Sequence, residues 1–429
     1  MRLFLFAVLA AFSWAARQLG DAVVNDPVGS ALLSLGCLII GGVLAGEFAV
    51  RFRAPRITGY LVLGLLAGPH ALGLETARDA ELLRPFEGLA LGLIALTAGG
   101  EFRLEVIRRR LRPLAVLTGA HTFGILIFVA GALWVFFRLV PFLPSATPAE
   151  TVVAVALLGV IAVAVSPSTT IALIAELRAR GEMVETVLAV TIVKDLIILL
   201  LFTLVTALSM SLLHGGAPVL GDLIHVVVEI VGSLLVGAVF GAMLGLYITK
   251  VNRLVPLTVL ALALASAELA QQSWVEHLLV CMAAGFVARN LYPNAAGRFL
   301  DALEQSSTPI YVVFFALIGA GLDIGVFAVL WLPALVYVLV RGLGVWLMTG
   351  FPASAAGSGR SMVRYGWMGF VAQAGLSLGL AARIQREIPG VGEAVAALVV
   401  AAVVVNQLVG PVLWERAILA AGEQGRERK

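Results

Sequence analysis

Apolar runs of about 17–25 residues, the length that crosses ~30 Å of hydrocarbon as a helix, recur along the whole chain between short polar connections. Fourteen can be placed, near residues 3–17, 28–49, 57–75, 85–101, 113–137, 150–175, 184–211, 220–248, 254–271, 275–289, 306–323, 327–350, 363–383 and 391–415. The pattern predicts an all-α polytopic membrane protein with 13–14 transmembrane helices. The first run is the short one. Phe4 to Trp14 follows Arg2, and Ser13 and Ala15 could form a small-residue cleavage site. A cleaved signal leaves thirteen spans, and a retained helix leaves fourteen.

Composition agrees with the pattern. Hydrophobic residues make up 61% and charged residues 13%, with mean hydropathy +1.03, against about 45–50% and 25% in soluble domains. A net charge of +3 would allow a nucleic-acid partner, but the cations are scattered through short loops instead of forming a patch. They read as topology signals. Alternate connections carry 21 and six Lys/Arg residues, and the richer side includes the clusters Arg51 to Arg56 and Arg103 to Arg112. The positive-inside rule then puts both termini in the cytoplasm of a cell (inner) membrane protein. The other two cations, Lys194 and Arg341, lie in the middle of apolar runs, where a charge costs roughly 2.5–3.5 kcal/mol on insertion scales and marks an ion or proton pathway by default. Cys37 and Cys281 have no CxxC or His cluster around them and read as packing residues. The pattern calls for no cofactor and no resident metal. It contains no nucleophile elbow, HExxH or phosphate loop, so an enzyme is not expected.

Internal similarity divides the chain. Gly59 to Gly68 resembles His277 to Gly285, and Ala95 to Gly100 resembles Ala316 to Gly321. The loop charges make the equivalent helices run in opposite directions. The expected organisation is an N-terminal helix or signal segment over 1–27, inverted six-helix repeats over 28–211 and 254–415 joined by a linker helix in 212–253, and a short cytoplasmic tail over 416–429.

The fifth helix of each repeat is interrupted. In the first, Ser166-Pro167-Ser168-Thr169-Thr170 places a proline inside an apolar run. In the second, Gln373-Ala374-Gly375-Leu376-Ser377 stands at matching depth. Unwound backbone at that depth persists only where protein or water satisfies it, and its freed carbonyls suit a cation and proton site.

These residues resemble the monovalent cation:proton antiporter superfamily, which includes sodium/proton exchangers and potassium-efflux carriers. The resemblance covers about residues 30–415. Its most specific stretch runs from Ser166 to Thr170, through Glu176 to Gly181, to Val193-Lys194-Asp195. Ile57 to Pro69 and Tyr365 to Ser377 are further matches, and Arg341 stands where the family carries Lys or Arg. The resemblance implies two discontinuous crossing helices and a homodimer in which a core domain moves against a dimerisation domain. It also implies exchange of Na⁺ or K⁺ for protons by alternating access. Asp195 would bind a dehydrated cation or a proton in turn, with Ser166, Ser168, Thr169 and Thr170 as oxygen ligands for a hard ion and Gln373 and Ser377 on the second break.

One departure bears on mechanism. The family usually has Asn, Asp or Gln before the key aspartate, where this chain has Lys194. Lys194 and Arg341 against Asp195 leave a net +1 if all are ionised, and such a site repels a cation. One reading makes Lys194 neutral when the cation is bound and protonated when it is not. Another takes a counter-charge from Glu229 or Glu268. A third makes Lys194 a permanent structural ion pair, although adjacent helical residues point about 100° apart, which strains direct contact with Asp195. Arg341 reads as a brace, and His121, which lies within a span, as a satisfied core histidine in preference to a pH sensor. Two other functions fit the positive core: an anion or organic-acid carrier of the same fold using Lys194 and Arg341, or a non-transporting membrane sensor.

Overall fold

A computed structural model describes residues 27–52, 54–101, 104, 111–139, 147–214, 220–272, 275–322, 324–388 and 390–425. The first predicted span, at 3–17, lies outside them. The chain is all-helical there. In order the helices are α1 (Pro27–Arg51), α2 (Arg56–Ala67), α3 (Ala77–Leu82), α4 (Arg84–Glu101), α5 (Leu111–Leu139), α6 (Pro148–Val163), α7 (Pro167–Glu176) and α8 (Glu182–His214). Then come α9 (Leu220–Lys250), α10 (Val255–Gln272), α11 (His277–Leu291), α12 (Pro293–Ala320), α13 (Ile324–Ala355), α14 (Arg360–Tyr365), α15 (Gly375–Glu387) and α16 (Val391–Ala421).

Among the described residues seven helical stretches are long and apolar enough to cross a membrane, including Leu111–Leu139, Glu182–Leu213 and Val391–Ala421. Shorter apolar helices lie at Arg56–Ala67, Gly88–Gly100, Val255–Ala270, His277–Leu291 and Pro309–Ala320. Fewer helices than the predicted 13–14 therefore meet the criterion on length and hydropathy alone. The run at 3–17 lies outside the described residues, and prolines and polar residues reshape two of the others. The run expected over 57–75 stops being helical at Ala67, because Gly68 precedes Pro69 and takes an extended backbone (ψ 170°). The run expected from 306 instead begins at Pro293, because the polar turns before it are helical but fall below any apolar threshold.

The chain forms two compact units, one of Met1–Leu104 with Val231–Leu322, the other of Glu105–Ile230 with Asp323–Lys429. Each contains three of the spans predicted for each six-helix repeat. In the first unit, α2 packs on α12 and α4 on α11. Glycines let these backbones approach: Gly64 lies against Ala316, Gly68 against Ala320 and Gly319 against Leu61, while Gly99 meets Met282 and Gly285 meets Leu96. The segments that resemble each other in sequence are thus packed crosswise, each short helix lying against the following helix of the other half.

In the second unit the interruptions have local causes. Pro167 is the first residue of α7 and Ser166 its N-cap; Ser166 Oγ accepts the Thr169 N–H at 3.2 Å. Ala164 is already extended (ψ 140°), so α6 and α7 are separate half-helices. On the other side, α14 leads into a 3₁₀ turn (Gly366–Phe370), and Val371 to Ala374 are non-helical before α15 begins at Gly375. The uninterrupted α16 packs against α13, α15 and the 3₁₀ turn. Its C-terminal extension ties down the start of α8. The Glu423 carboxylate accepts the N–H groups of Met183 and Val184, both at 2.9 Å, which places an acid where the helix end favours one.

Candidate functional site

All of the site lies in the second unit. Ser166, Ser168, Thr169 and Thr170 are buried at the start of α7. The hydroxyls of Ser166 and Thr169 are 2.9 Å apart, and Thr170 Oγ1 donates back to the Ser166 carbonyl at 3.0 Å. The two interruptions meet directly: the Ser166 N–H donates to the Ala372 carbonyl at 2.8 Å. Gly410 of α16 makes room for this, because any side chain there would strike the Ala372 backbone.

Arg341, on α13 and 1% exposed, spans the junction. Its Nε donates to the Ala162 carbonyl (2.9 Å) and Nη2 to that of Ala164 (2.9 Å), both at the end of the first half-helix. Nη1 donates to Val371 O (2.8 Å) and Nη2 also to Phe370 O (3.1 Å), at the second interruption. These are four of the carbonyls that the breaks release, and a guanidinium carries five N–H donors in one plane. Gln373 acts in the same way: its Nε2 donates to Ile161 O (3.0 Å) and to Ser377 Oγ (3.2 Å). Its Oε1 accepts from Asn406 Nδ2 at 2.8 Å. The next residue, Gln407, donates to Thr169 Oγ1 at 3.2 Å. Adjacent residues on α16 therefore serve the two interruptions separately.

Lys194 is completely buried on α8. Its Nζ lies 3.4 Å from His121 Nδ1 and 5.2 Å from the centroid of the Phe370 ring, and it feels the attraction of Asp195 and the repulsion of Arg341. Asp195 is half-buried, with Oδ1 shielded from solvent. Of the two acids considered as counter-charges, Glu229 is half-buried within electrostatic range of Arg383, and Glu268 belongs to the other unit.

Asn406, Gln407 and Thr349 are not among the residues expected from the sequence, and His121 is expected there only as a satisfied core histidine or a pH sensor. Asn406-Gln407 had a visible signal, since two amides interrupt the apolar run from Ala394 to Val405. His121 is visible as a titratable residue within an apolar span, but its partners Thr349 and Lys194 are remote in the chain.

The comparisons agree with this architecture. Two solved structures of the sodium proton antiporter MjNhaP1 from Methanocaldococcus jannaschii superpose with TM-scores of 0.67 and 0.69 at 17% and 18% identity. They cover 94% and 92% of this chain, and 100% and 99% of theirs. The chain is 29% identical over 208 residues to the Na(+)/H(+) antiporter 1 of that organism, an alignment spanning 46% of each protein, about half the length of that relative. The family model for the transmembrane sodium/hydrogen exchanger matches residues 36–415, which takes in both interruptions, Asp195 and both buried cations. The chain belongs to the sodium/hydrogen exchanger family of multi-pass membrane proteins.

Proposed function

We propose that the protein is a secondary antiporter exchanging a monovalent cation, Na⁺ or K⁺, for protons by alternating access, with Asp195 binding cation and proton in turn. The observation that carries this is the family match over residues 36–415, which contains a half-buried carboxylate next to a fully buried lysine on α8. The names of the relatives favour Na⁺. The hydroxyls of Ser166, Ser168, Thr169 and Thr170 are hard oxygen donors of the kind such an ion requires. In this reading Lys194 loses its charge as the cation arrives, which removes the net positive charge of the site. The crosswise packing of α2 on α12 and α4 on α11 supports inverted repeats. Homodimerisation, an inner-membrane location and a cytoplasmic C-terminus belong to the same proposal.

The anion-carrier reading needs a guanidinium free to hold an anion. Four of the five Arg341 donors are already on backbone carbonyls, so the geometry favours the cation reading. The test is dissipation of a preset proton gradient in proteoliposomes with Na⁺, K⁺ and Li⁺ titrated separately, on wild type and Asp195→Asn. Saturable cation-dependent dissipation that Asp195→Asn abolishes is expected. Dissipation driven only by anions, or an Asp195→Asn protein as active as wild type, overturns the proposal.

A further inference from the structure

We propose that His121 is a positioning residue for Lys194, fixed by Thr349 in the tautomer that presents its Nδ1 lone pair to the lysine head. Thr349 has one hydroxyl proton, and Oγ1 lies 2.6 Å from the Val345 carbonyl, which can only accept. The same oxygen is 2.9 Å from His121 Nε2. With its proton committed to Val345, Thr349 must accept there, so Nε2 carries the ring proton. In a neutral imidazole that leaves Nδ1 as an acceptor, and Nδ1 faces Lys194 Nζ at 3.4 Å, long for a hydrogen bond.

The other protonation states misuse the geometry. A doubly protonated ring would point an N–H at an ammonium in a buried site, two like charges with little water between them. The opposite tautomer would do the same and strand Nε2 against a hydroxyl that has no proton to offer. The charged groups acting on the ring are Lys194 from α8 and Arg341 from α13, and Asp195 acts on Lys194.

Two features separate His121 from a packing residue. Its ring is 4.2 Å from that of Phe370, centroid to centroid, and the Lys194 head lies over the same Phe370 ring. The ammonium is thereby bounded by an aromatic face and an imidazole lone pair. His121 also sits in a π-helical turn, Ala120–Gly124, inside the otherwise α-helical α5. Such turns insert one residue and re-aim the side chains around it, and they recur at functional sites. The chain of contacts, from the Val345 carbonyl through Thr349 and His121 to Lys194, links α13, α5 and α8.

The proposal rests on the antiport reading only for its effect on transport, so the test has two arms. In the first, protein labelled with ¹⁵N-histidine is examined by NMR, with His121→Leu assigning the signal among the five histidines. The Nδ1 resonance is expected to be unprotonated and hydrogen-bond-accepting, to shift in Lys194→Met, to lose that identity in Thr349→Val and to recover it in Thr349→Ser. A protonated Nδ1 in wild type, or a signal indifferent to Lys194→Met, overturns the proposal. In the second arm, Thr349→Val should lower Na⁺-driven dissipation by up to about tenfold, the upper end for one lost hydrogen bond between neutral groups, and Thr349→Ser should restore it. Thermal midpoints of wild type, His121→Leu, Lys194→Met and the double variant should be non-additive; additivity would mean that His121 merely fills space and would sink the idea. If wild type moves no cation at all, the antiport reading falls, and the NMR and thermal measurements still decide the role of His121.

Discussion

Arg341 shows how a buried charge can be matched by backbone dipoles. Its donors meet four carbonyls on two interruptions, and this geometry needs a planar fork, which a lysine ammonium cannot reproduce as a point charge. Arg341→Lys should therefore destabilise the protein although the charge is kept, and Arg341→Met more so. Each carbonyl left unpaired costs about 1–3 kcal/mol, so a loss of about 3 kcal/mol or more is expected, read as a lower thermal midpoint in detergent. A lysine variant as stable as wild type would show that charge, and not geometry, is what the junction requires. Lys194 and Arg341 were legible in the sequence because a cation inside an apolar run is costly wherever it points. Their partners were not. Arg341 reaches Ala162 across 179 positions and Val371 across 30, and Lys194 reaches His121 across 73. Periodicity carries no information about contacts at that separation.

Among the helices, the two interruptions were legible for a backbone reason: a proline inside an apolar run and a Gln-Ala-Gly stretch at corresponding depth have few other uses. The π turn in α5 was not, because an inserted residue has no composition of its own. The polar start of α12 was missed because an apolar window reports burial in lipid and is blind to helicity. The crosswise glycine contacts yield a prediction for the first unit. A methyl added at Gly64 would collide with the Ala316 carbonyl, whereas one added at Gly36 on α1 meets nothing within 4 Å. Gly64→Ala should cost about 1–3 kcal/mol, the usual range for overpacking. Gly36→Ala should be neutral or slightly stabilising, since alanine is the better helix former by about 1 kcal/mol. Thermal midpoints of the two variants in one detergent make the comparison. Equal effects would mean that α2 and α12 are not held together through their backbones.

Across the fold, each compact unit contains three of the spans predicted for each six-helix repeat, the composition expected when two repeats of opposite orientation are interleaved. Opposite orientation depends in turn on the loop charges. The 21 Lys/Arg residues on one side and six on the other require Arg253 and the segment after Trp414 to be cytoplasmic, and the 140–147 and 215–219 connections to be external. Fusions truncated at each of these points test the inference without any assumption about transport. Alkaline phosphatase, which matures only outside the cytoplasm, should be active when joined within 140–147 or 215–219 and inactive after Arg253 or Gln424. A fluorescent reporter that matures only inside should show the reverse. Activity of both connections on the same side as Arg253 would mean that a span has been miscounted between them. The equivalent helices would then run in the same direction, and the inverted-repeat reading would fail even though the family assignment would stand.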